Sequence, residues 1–348
     1  MSKNSSSLMG GRPTRDDVAS RARVSGTTVS RVLGGKPDES VSPAVRARVL
    51  EAARELGYVP NSAAQALRRG RTGLIGLWMC LGYSRYRAEV LDRMRRISAE
   101  TDHALAVLDV DEEYAWHRSF DRALRVPVDG VIAFDASTAG EVFAREGQSI
   151  APNLPFVSMG AYWSEAKSYV GVDLKAGAEM AVDHLLATGR RRIAYLTPQD
   201  SNATIEAGRL EGYEERMVAS GLEPRTFRVS YSAADRVASI VEILADCRRR
   251  GWIPDALLCM FDDIAIDAVP ALIRSGLRPG VDVAIVGING SEGTERGECP
   301  ITIVRQPIEI MCATALAYLE AQIDAPSSPF QQIILKPELI VRASSRRD

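Results

Sequence analysis

The stretch Thr14–Leu33 constrains this chain more than any other, because it starts two helices so close together that only a tight turn fits between them. Thr14 offers an N-cap, Asp16 and Asp17 sit in the first turn where the helix dipole favours negative charge, and the pattern carries a helix to about Arg23. Ser25 offers a second cap for Gly26–Leu33, whose Val29, Val32 and Leu33 form one apolar stripe. A third helix begins at Ser42-Pro43, a cap followed by a first-turn proline. It runs through Val45, Val49, Ala52, Ala53 and Leu56 to Gly57, a suitable left-handed terminator. Three short helices on one small core are predicted, with Val18, Ala19 and Ala22 as the inward face of the first.

Charge says what such a unit meets. Residues 1–72 hold 13 Lys/Arg against 6 Asp/Glu, a net +7, so a chain of net −2 carries −9 in the rest. A basic head on an acidic body is an electrostatic footprint for nucleic acid, since neutralising phosphates requires Lys and Arg. In a helix-turn-helix the second helix enters the major groove, which leaves Thr27, Thr28, Ser30 and Arg31 facing outward. Arg31 is the candidate for reading a base, because its fork matches O6 and N7 of guanine. Spacing alone would also describe an ordinary three-helix unit with surface arginines.

After Pro60 the run Asn61-Ser-Ala-Ala64-Gln-Ala-Leu67-Arg-Arg-Gly-Arg71 offers a capped helix of about two turns. A helix that short is poorly populated alone and orders only when something packs on it. From Gly73 onward short apolar runs alternate with helix-length segments, the pattern of βα units around a parallel sheet. Strands are expected at Leu74–Cys80, Ala104–Val110, Gly130–Phe134, Phe156–Met159, Ile193–Leu196, Ala256–Cys259, Val283–Ile288 and Ile301–Val304. Helices are expected at about 86–102, 175–188, 202–220, 234–250, 262–275 and 307–323, with Asp262 capping the fifth. That is too many strands for one compact half.

Several classes are disfavoured. The 46% hydrophobic content suits a globular chain, and residues 1–12 are polar with no apolar core of a secretion signal, so a cytoplasmic protein without a membrane span is expected. Cys80, Cys247, Cys259, Cys299 and Cys312 show no C-x-x-C spacing, which suggests neither disulfides nor zinc, and no cofactor is expected. His103, His117 and His184 lie far apart, and no phosphate loop or nucleophile elbow is present, so catalysis is not expected. A secreted solute-binding receptor would have the opposite N-terminus.

The wording of Thr14–Leu33, continued by Leu56-Gly-Tyr-Val-Pro-Asn61 and Ala64-Gln-Ala-Leu67, resembles the head signature of the lactose/galactose repressor family. Landmarks of the body, among them Val128-Asp-Gly-Val-Ile132, Val304-Arg-Gln-Pro307 and Glu338-Leu-Ile-Val-Arg342, extend the resemblance to about Ser345. It implies an all-α helix-turn-helix head plus an α/β body of two doubly wound parallel-sheet lobes, similar to a periplasmic binding protein. The implied division is a disordered tail at 1–13, the head at 14–59, a hinge at 60–72 and the two-lobed body at 73–345. The first lobe would take about 73–170 plus 305–325, and the second about 171–304 plus 326–345.

The same resemblance implies a regulator, expected to be a repressor, acting as a homodimer on a pseudo-palindromic operator and controlled by a small molecule between the lobes. Gly26, Thr27 and Arg31 fall on base-contacting positions and Thr28 and Ser30 on phosphate-contacting ones, with further DNA contacts implied for Thr14, Asn61 and Ala64 and a minor-groove wedge for Leu67. Arg209, in Arg209-Leu-Glu-Gly-Tyr213, would point into the cleft and pair with ligand oxygens, joined by Cys80, Ser84, Gly160, Tyr231, Phe261, Asn289 and Gln306. Arg23 stands where the family usually has Gly, and Gly26 gives one reading position no side chain. Gly160 and Asn289 stand where Asp is frequent, and Phe261 where Asn is. Such a cleft looks depleted of acceptors, which points to an effector that is a sugar or sugar-like metabolite, more acidic or more apolar than a plain hexose.

Overall fold

The computed structural model describes residues 13–34, 40–59, 70–80, 84–110, 122–135, 153–160, 167–199 and 203–346, with side chains from 208 onward in the last stretch. The chain divides into two compact units, Met1–Thr72 and Gly73–Asp348. The tail through residue 12 and the hinge positions Asn61, Ala64 and Leu67 lie outside the described residues.

Among the described residues of the first unit the helices are α1 (Arg15–Ala22), α2 (Gly26–Leu33) and α3 (Pro43–Leu56). Thr14 closes a capping box: its hydroxyl accepts from the Asp17 amide at 3.3 Å while Asp17 Oδ2 accepts from the Thr14 amide at 2.8 Å. Ser25 and Ser42 cap the next two helices, and Gly57 ends α3 in the left-handed region. The core joins Val18, Ala19 and Ala22 to Val29, Val32, Val49, Ala52 and Ala53, with Val45, Leu33 and Leu56 packed at its edge. Arg23 ends α1 with φ +54 and ψ +50, so a side chain sits where the left-handed turn favours glycine. Its amide still donates to the carbonyls of Ala19 and Ser20.

The second unit runs β1 (Leu74–Met79), α4 (Arg85–Ser98), β2 (Ala104–Asp109), β3 (Gly130–Phe134), β4 (Phe156–Gly160), β5 (Ser168–Val172), α5 (Leu174–Ala187), β6 (Ile193–Pro198), α6 (Ala203–Ala219), β7 (Arg225–Val229), α7 (Ala233–Arg249), β8 (Ala256–Cys259), α8 (Asp262–Arg274), β9 (Ala284–Asn289), β10 (Thr302–Arg305), α9 (Ile308–Asp324), β11 (Gln332–Leu335) and β12 (Glu338–Ile340). These strands form two six-stranded sheets, ordered β11-β5-β4-β3-β1-β2 and β12-β10-β9-β8-β6-β7. Among the described residues only β12 runs antiparallel to its neighbour, β10; the other pairings are parallel. Central strands such as β3, β4, β6 and β9 are buried along their whole length, as a sheet covered on both faces requires.

Each sheet makes one lobe, and the chain passes between lobes three times: from β5 to α5, from β10 to α9, and from β11 to β12. The expected lobe division placed 326–345 wholly in the second lobe. Instead Gln332–Leu335 pairs with β5 in the first sheet, register Gln332 to Tyr169, before β12 joins the second. Four strands found no expectation in the sequence: β5, β7, β11 and β12. Asp262 does not cap α8; Phe261 takes the cap position without a side-chain bond, and the Asp262 carboxylate turns toward the loop after β9.

Candidate functional sites

On the head, α2 presents Thr27 and Arg31 exposed and Thr28, Ser30 and Gly26 half-buried. Thr28 is tied locally, its amide donating to Ser25 Oγ at 3.1 Å and its hydroxyl lying 2.9 Å from the same atom. Arg31 Nη1 reaches Ser40 Oγ at 3.5 Å, a long contact that a stronger acceptor would displace. Thr14 is exposed beside its cap. Beside the start of α2 stands a residue that the sequence did not single out. Arg15, the first residue of α1, lays its guanidinium over Gly26, so that a Cβ built on Gly26 would stand 2.9 Å from Arg15 Nε and 3.1 Å from Cζ.

On the body, parallel sheets place ligands beyond the carboxyl ends of their strands, and the candidate side chains gather there. Arg209 on α6 is 3% exposed, Asn289 at the end of β9 is 4% and Gln306 after β10 is 1%. Asn289 Oδ1 accepts from Arg209 Nη2 at 3.1 Å and from Gln306 Nε2 at 2.8 Å, so three expected residues form one bonded cluster. Asn289 holds this place with φ +129, a conformation that L side chains rarely adopt. The Phe261 ring lies with its centroid 5.5 Å from Arg209 Cζ, an apolar wall against the cation. Ser84 has a different job, capping α4 through a bond from the Arg87 amide at 3.4 Å.

The first lobe supplies the opposite wall. Gly160 ends β4 at φ +107, and the volume its Cβ would take is filled by the carboxylate of Asp135, itself at φ +43 after β3. The acceptor expected to be missing at position 160 is therefore present, delivered from position 135. Tyr86 on α4 is buried, and its hydroxyl titrates well above the usual phenol range, first because of burial and then because of the Asp135 charge, with Arg209 pulling the other way. Among the described residues no hydrogen-bond partner reaches the Tyr86 hydroxyl or Gln306 Oε1, although both are buried. Beside them, burial opposes the charge of Arg87, but Cys80, Tyr231 and Asp135 together outweigh it and raise its pKa. Tyr231 hydrogen-bonds Arg87, and Cys80 lies near enough to act on the same charge.

Asp262 sits behind the cluster. Its Oδ2 accepts from the Gly290 amide at 2.7 Å, the Ser291 amide at 2.6 Å and Ser291 Oγ at 2.8 Å, fixing the loop that follows Asn289. Burial pushes its pKa up to about 7 in spite of these donors. At the mouth the N-terminal part of α4 bridges to the second lobe: Arg85 Nε pairs with Asp263 at 3.2 Å, and Glu89 accepts from the Glu292 amide at 3.2 Å. Among the described residues no group of three or more His, Cys, Asp or Glu could hold a metal ion, and no helix is long and apolar enough to cross a membrane.

A groove-reading three-helix head and a two-lobed sheet body with a polar cluster at its strand ends define a ligand-controlled DNA-binding regulator. Residues 14–61 match the family of bacterial regulatory proteins of the lacI type, and residues 182–345 match a periplasmic binding protein-like domain. The chain is 32% identical to the HTH-type transcriptional regulator CelR of Thermobifida fusca, across 96% of this chain and 98% of that one. Among solved structures, a CelR–cellobiose complex superposes with TM-score 0.65 at 30% identity, covering 96% of this chain and 100% of that chain. A lac repressor dimer bound to operator and the anti-inducer ONPF shares the fold with TM-score 0.78 at 24% identity, covering 96% and 99%. The chain belongs to the lacI family of bacterial transcription regulators.

Proposed function

We propose that this chain is a cytoplasmic homodimeric repressor without catalytic activity, whose affinity for a pseudo-palindromic operator is set by a sugar-class effector held between the two lobes. The observation that carries the effector site is the buried Arg209–Asn289–Gln306 cluster facing a first-lobe wall of Tyr86 and Asp135. A guanidinium offers donors only and a carboxylate acceptors only, so the two walls together suit a ligand rich in hydroxyls, each of which donates and accepts. Tyr86 and Gln306 retain unmade bonds for such oxygens. The cellobiose in the CelR complex is a ligand of that chemistry. Phe261 adds an apolar face for a sugar ring. The expectation of an acidic effector rested on missing carboxylates, and Asp135 beside Gly160 weakens that ground.

Closure of the lobes on ligand would change the separation of the hinges at 60–72, which carry Asn61, Ala64 and Leu67, and so shift the DNA-competent population. Thr14, Thr27, Thr28, Ser30 and Arg31 hold the head on DNA in this scheme. The test has two arms. A thermal-shift panel of neutral sugars, sugar acids and aromatic acids should show stabilisation by a sugar and loss of it in Arg209→Ala, while sustained stabilisation of that variant removes Arg209 from the site. In the DNA arm, Arg31→Ala should weaken binding to a selected palindrome by roughly 1–3 kcal/mol with relaxed specificity. Equal affinity of the intact protein for random duplex and every selected palindrome at physiological salt would overturn the regulator reading.

A further inference from the structure

The Gly26 position is where this chain's reading helix gives up a side chain, and the structure shows what stands there instead. We infer that Arg15, projecting from α1, is a base-reading residue that acts through the space vacated at Gly26 and discriminates guanine in each half-site. The inference rests on the regulator reading above.

Three observations support it. The guanidinium lies against the Gly26 backbone closely enough that any Cβ at 26 would displace it. Its Nε and Nη2 edge is held by Asp16 Oδ1, at 3.2 and 3.0 Å, which presents one two-donor edge of the fork preorganised beside the groove-facing end of α2. A two-donor edge of this kind matches O6 and N7 of guanine once Asp16 gives way. Finally, the placement does not serve the fold. Arg15 is the first residue of α1 and its charge lies over the first residue of α2, so a cation sits at the positive ends of two helix dipoles. The Asp16 carboxylate that offsets it is 79% exposed, where an ion pair contributes little. An arginine there becomes favourable when an electron-rich acceptor arrives and exchanges for Asp16.

Glycine at 26 is then as much a part of the reader as the arginine. Its lack of a side chain is what lets the guanidinium reach across from α1. A methyl group at 26 meets only the far end of a flexible side chain, so Gly26→Ala should fold normally while moving Arg15 out of position.

The test uses the full-length protein and a duplex library with a randomised core, at fixed salt. Wild type is expected to select guanine at one symmetric position of each half-site besides the one read by Arg31. Arg15→Ala and Gly26→Ala should each lose that preference, bind the selected duplex about 5- to 150-fold more weakly and keep the preferences at the other positions. The double variant should be no worse than either single one. Arg15→Lys, which keeps the charge but not the fork, should retain affinity for random duplex and lose the discrimination. The inference is overturned if Arg15→Ala weakens selected and random duplex equally with a salt slope lower by about one, the mark of a phosphate contact. It is also overturned if Gly26→Ala, with an unchanged melting temperature, still selects guanine there. Failure of wild type to select any sequence would instead sink the regulator reading itself, a result distinct from these.

Discussion

Replacing Asn289 by aspartate examines the body's polar cluster at its most sensitive atom. Asn289 Oδ1 accepts two bonds, from the Arg209 guanidinium and the Gln306 amide, and all three side chains are buried. Asn289→Asp keeps the shape and both bonds but makes the acceptor anionic. The Gln306 contact goes from neutral to charge-assisted, roughly doubling a bond worth about 1 kcal/mol, while the Arg209 contact, already charge-assisted, acquires charge on its second partner and gains about 1 kcal/mol more. Burying a new carboxylate opposes this, yet its partner is a cation that the fold already buries, so pairing offsets much of the desolvation. The ligand-free body should therefore gain roughly 1–2 kcal/mol, read as a rise of about 2–6 °C in melting temperature for a unit of this size. Asn289→Leu is the control: it leaves two buried donors unmatched and should cost about 2–4 kcal/mol. Differential scanning calorimetry of ligand-free protein decides the matter. If the aspartate variant melts below wild type, the desolvation cost exceeds the pairing and Asn289 does not serve as a shared acceptor for Arg209 in the way its geometry states.

Gly160→Ala should destabilise the body by roughly 2–4 kcal/mol, because φ +107 is costly for alanine and the new methyl collides with Asp135; an unchanged denaturation midpoint would contradict the close approach. Arg23→Gly should stabilise the head by about 0.5–1 kcal/mol, since glycine adopts the left-handed turn at φ +54 without strain. Slower hydrogen exchange of the α1 amides would show it, and faster exchange would mean that the arginine makes a compensating contact. Asp262 has a folded pKa raised from 3.8 to about 7, so the folded state holds its proton more tightly than the unfolded chain. Its contribution is fully present below pH 3.8 and fades as pH rises through about 7, so the stability of wild type relative to Asp262→Asn should fall across that window. Parallel stability curves for the two proteins between pH 4 and 8 would show that Asp262 does not titrate there.

What the sequence discloses follows from how local the controlling physics is. Caps are local, and Thr14, Ser25, Ser42 and Gly57 could be read directly because each acts on an amide or carbonyl within a few positions. Buried central strands were legible as apolar runs. Two of the missed strands lack that signal, since β7, Arg225–Val229, is half polar at a sheet edge and β11, Gln332–Leu335, is largely exposed, whereas β5, Ser168–Val172, is buried throughout but its apolar run is broken by Ser168 and Gly171. At three and four residues, β12 and β11 owe their existence to the strands they lie against. The site residues divide in the same way. Arg209, Asn289 and Gln306 stood in recognisable surroundings, and the structure brings them together. Arg15 and Asp135 did not, because each fills space left by a glycine far from it in sequence. A glycine where relatives carry a functional side chain was the available clue; which neighbour takes the space depends on packing.

The threefold passage of the chain between the lobes has a consequence for what can be cut from it. Neither lobe is a continuous piece of polypeptide, since the first needs α9 and β11 and the second needs β12. A fragment ending before Gln332 would leave β5 and β10 with bare, unpaired margins, prone to adhere to other chains. The body is therefore expected to tolerate no truncation that removes these strands: a nonsense mutation before Gln332 should yield insoluble protein rather than a regulator deaf to its ligand.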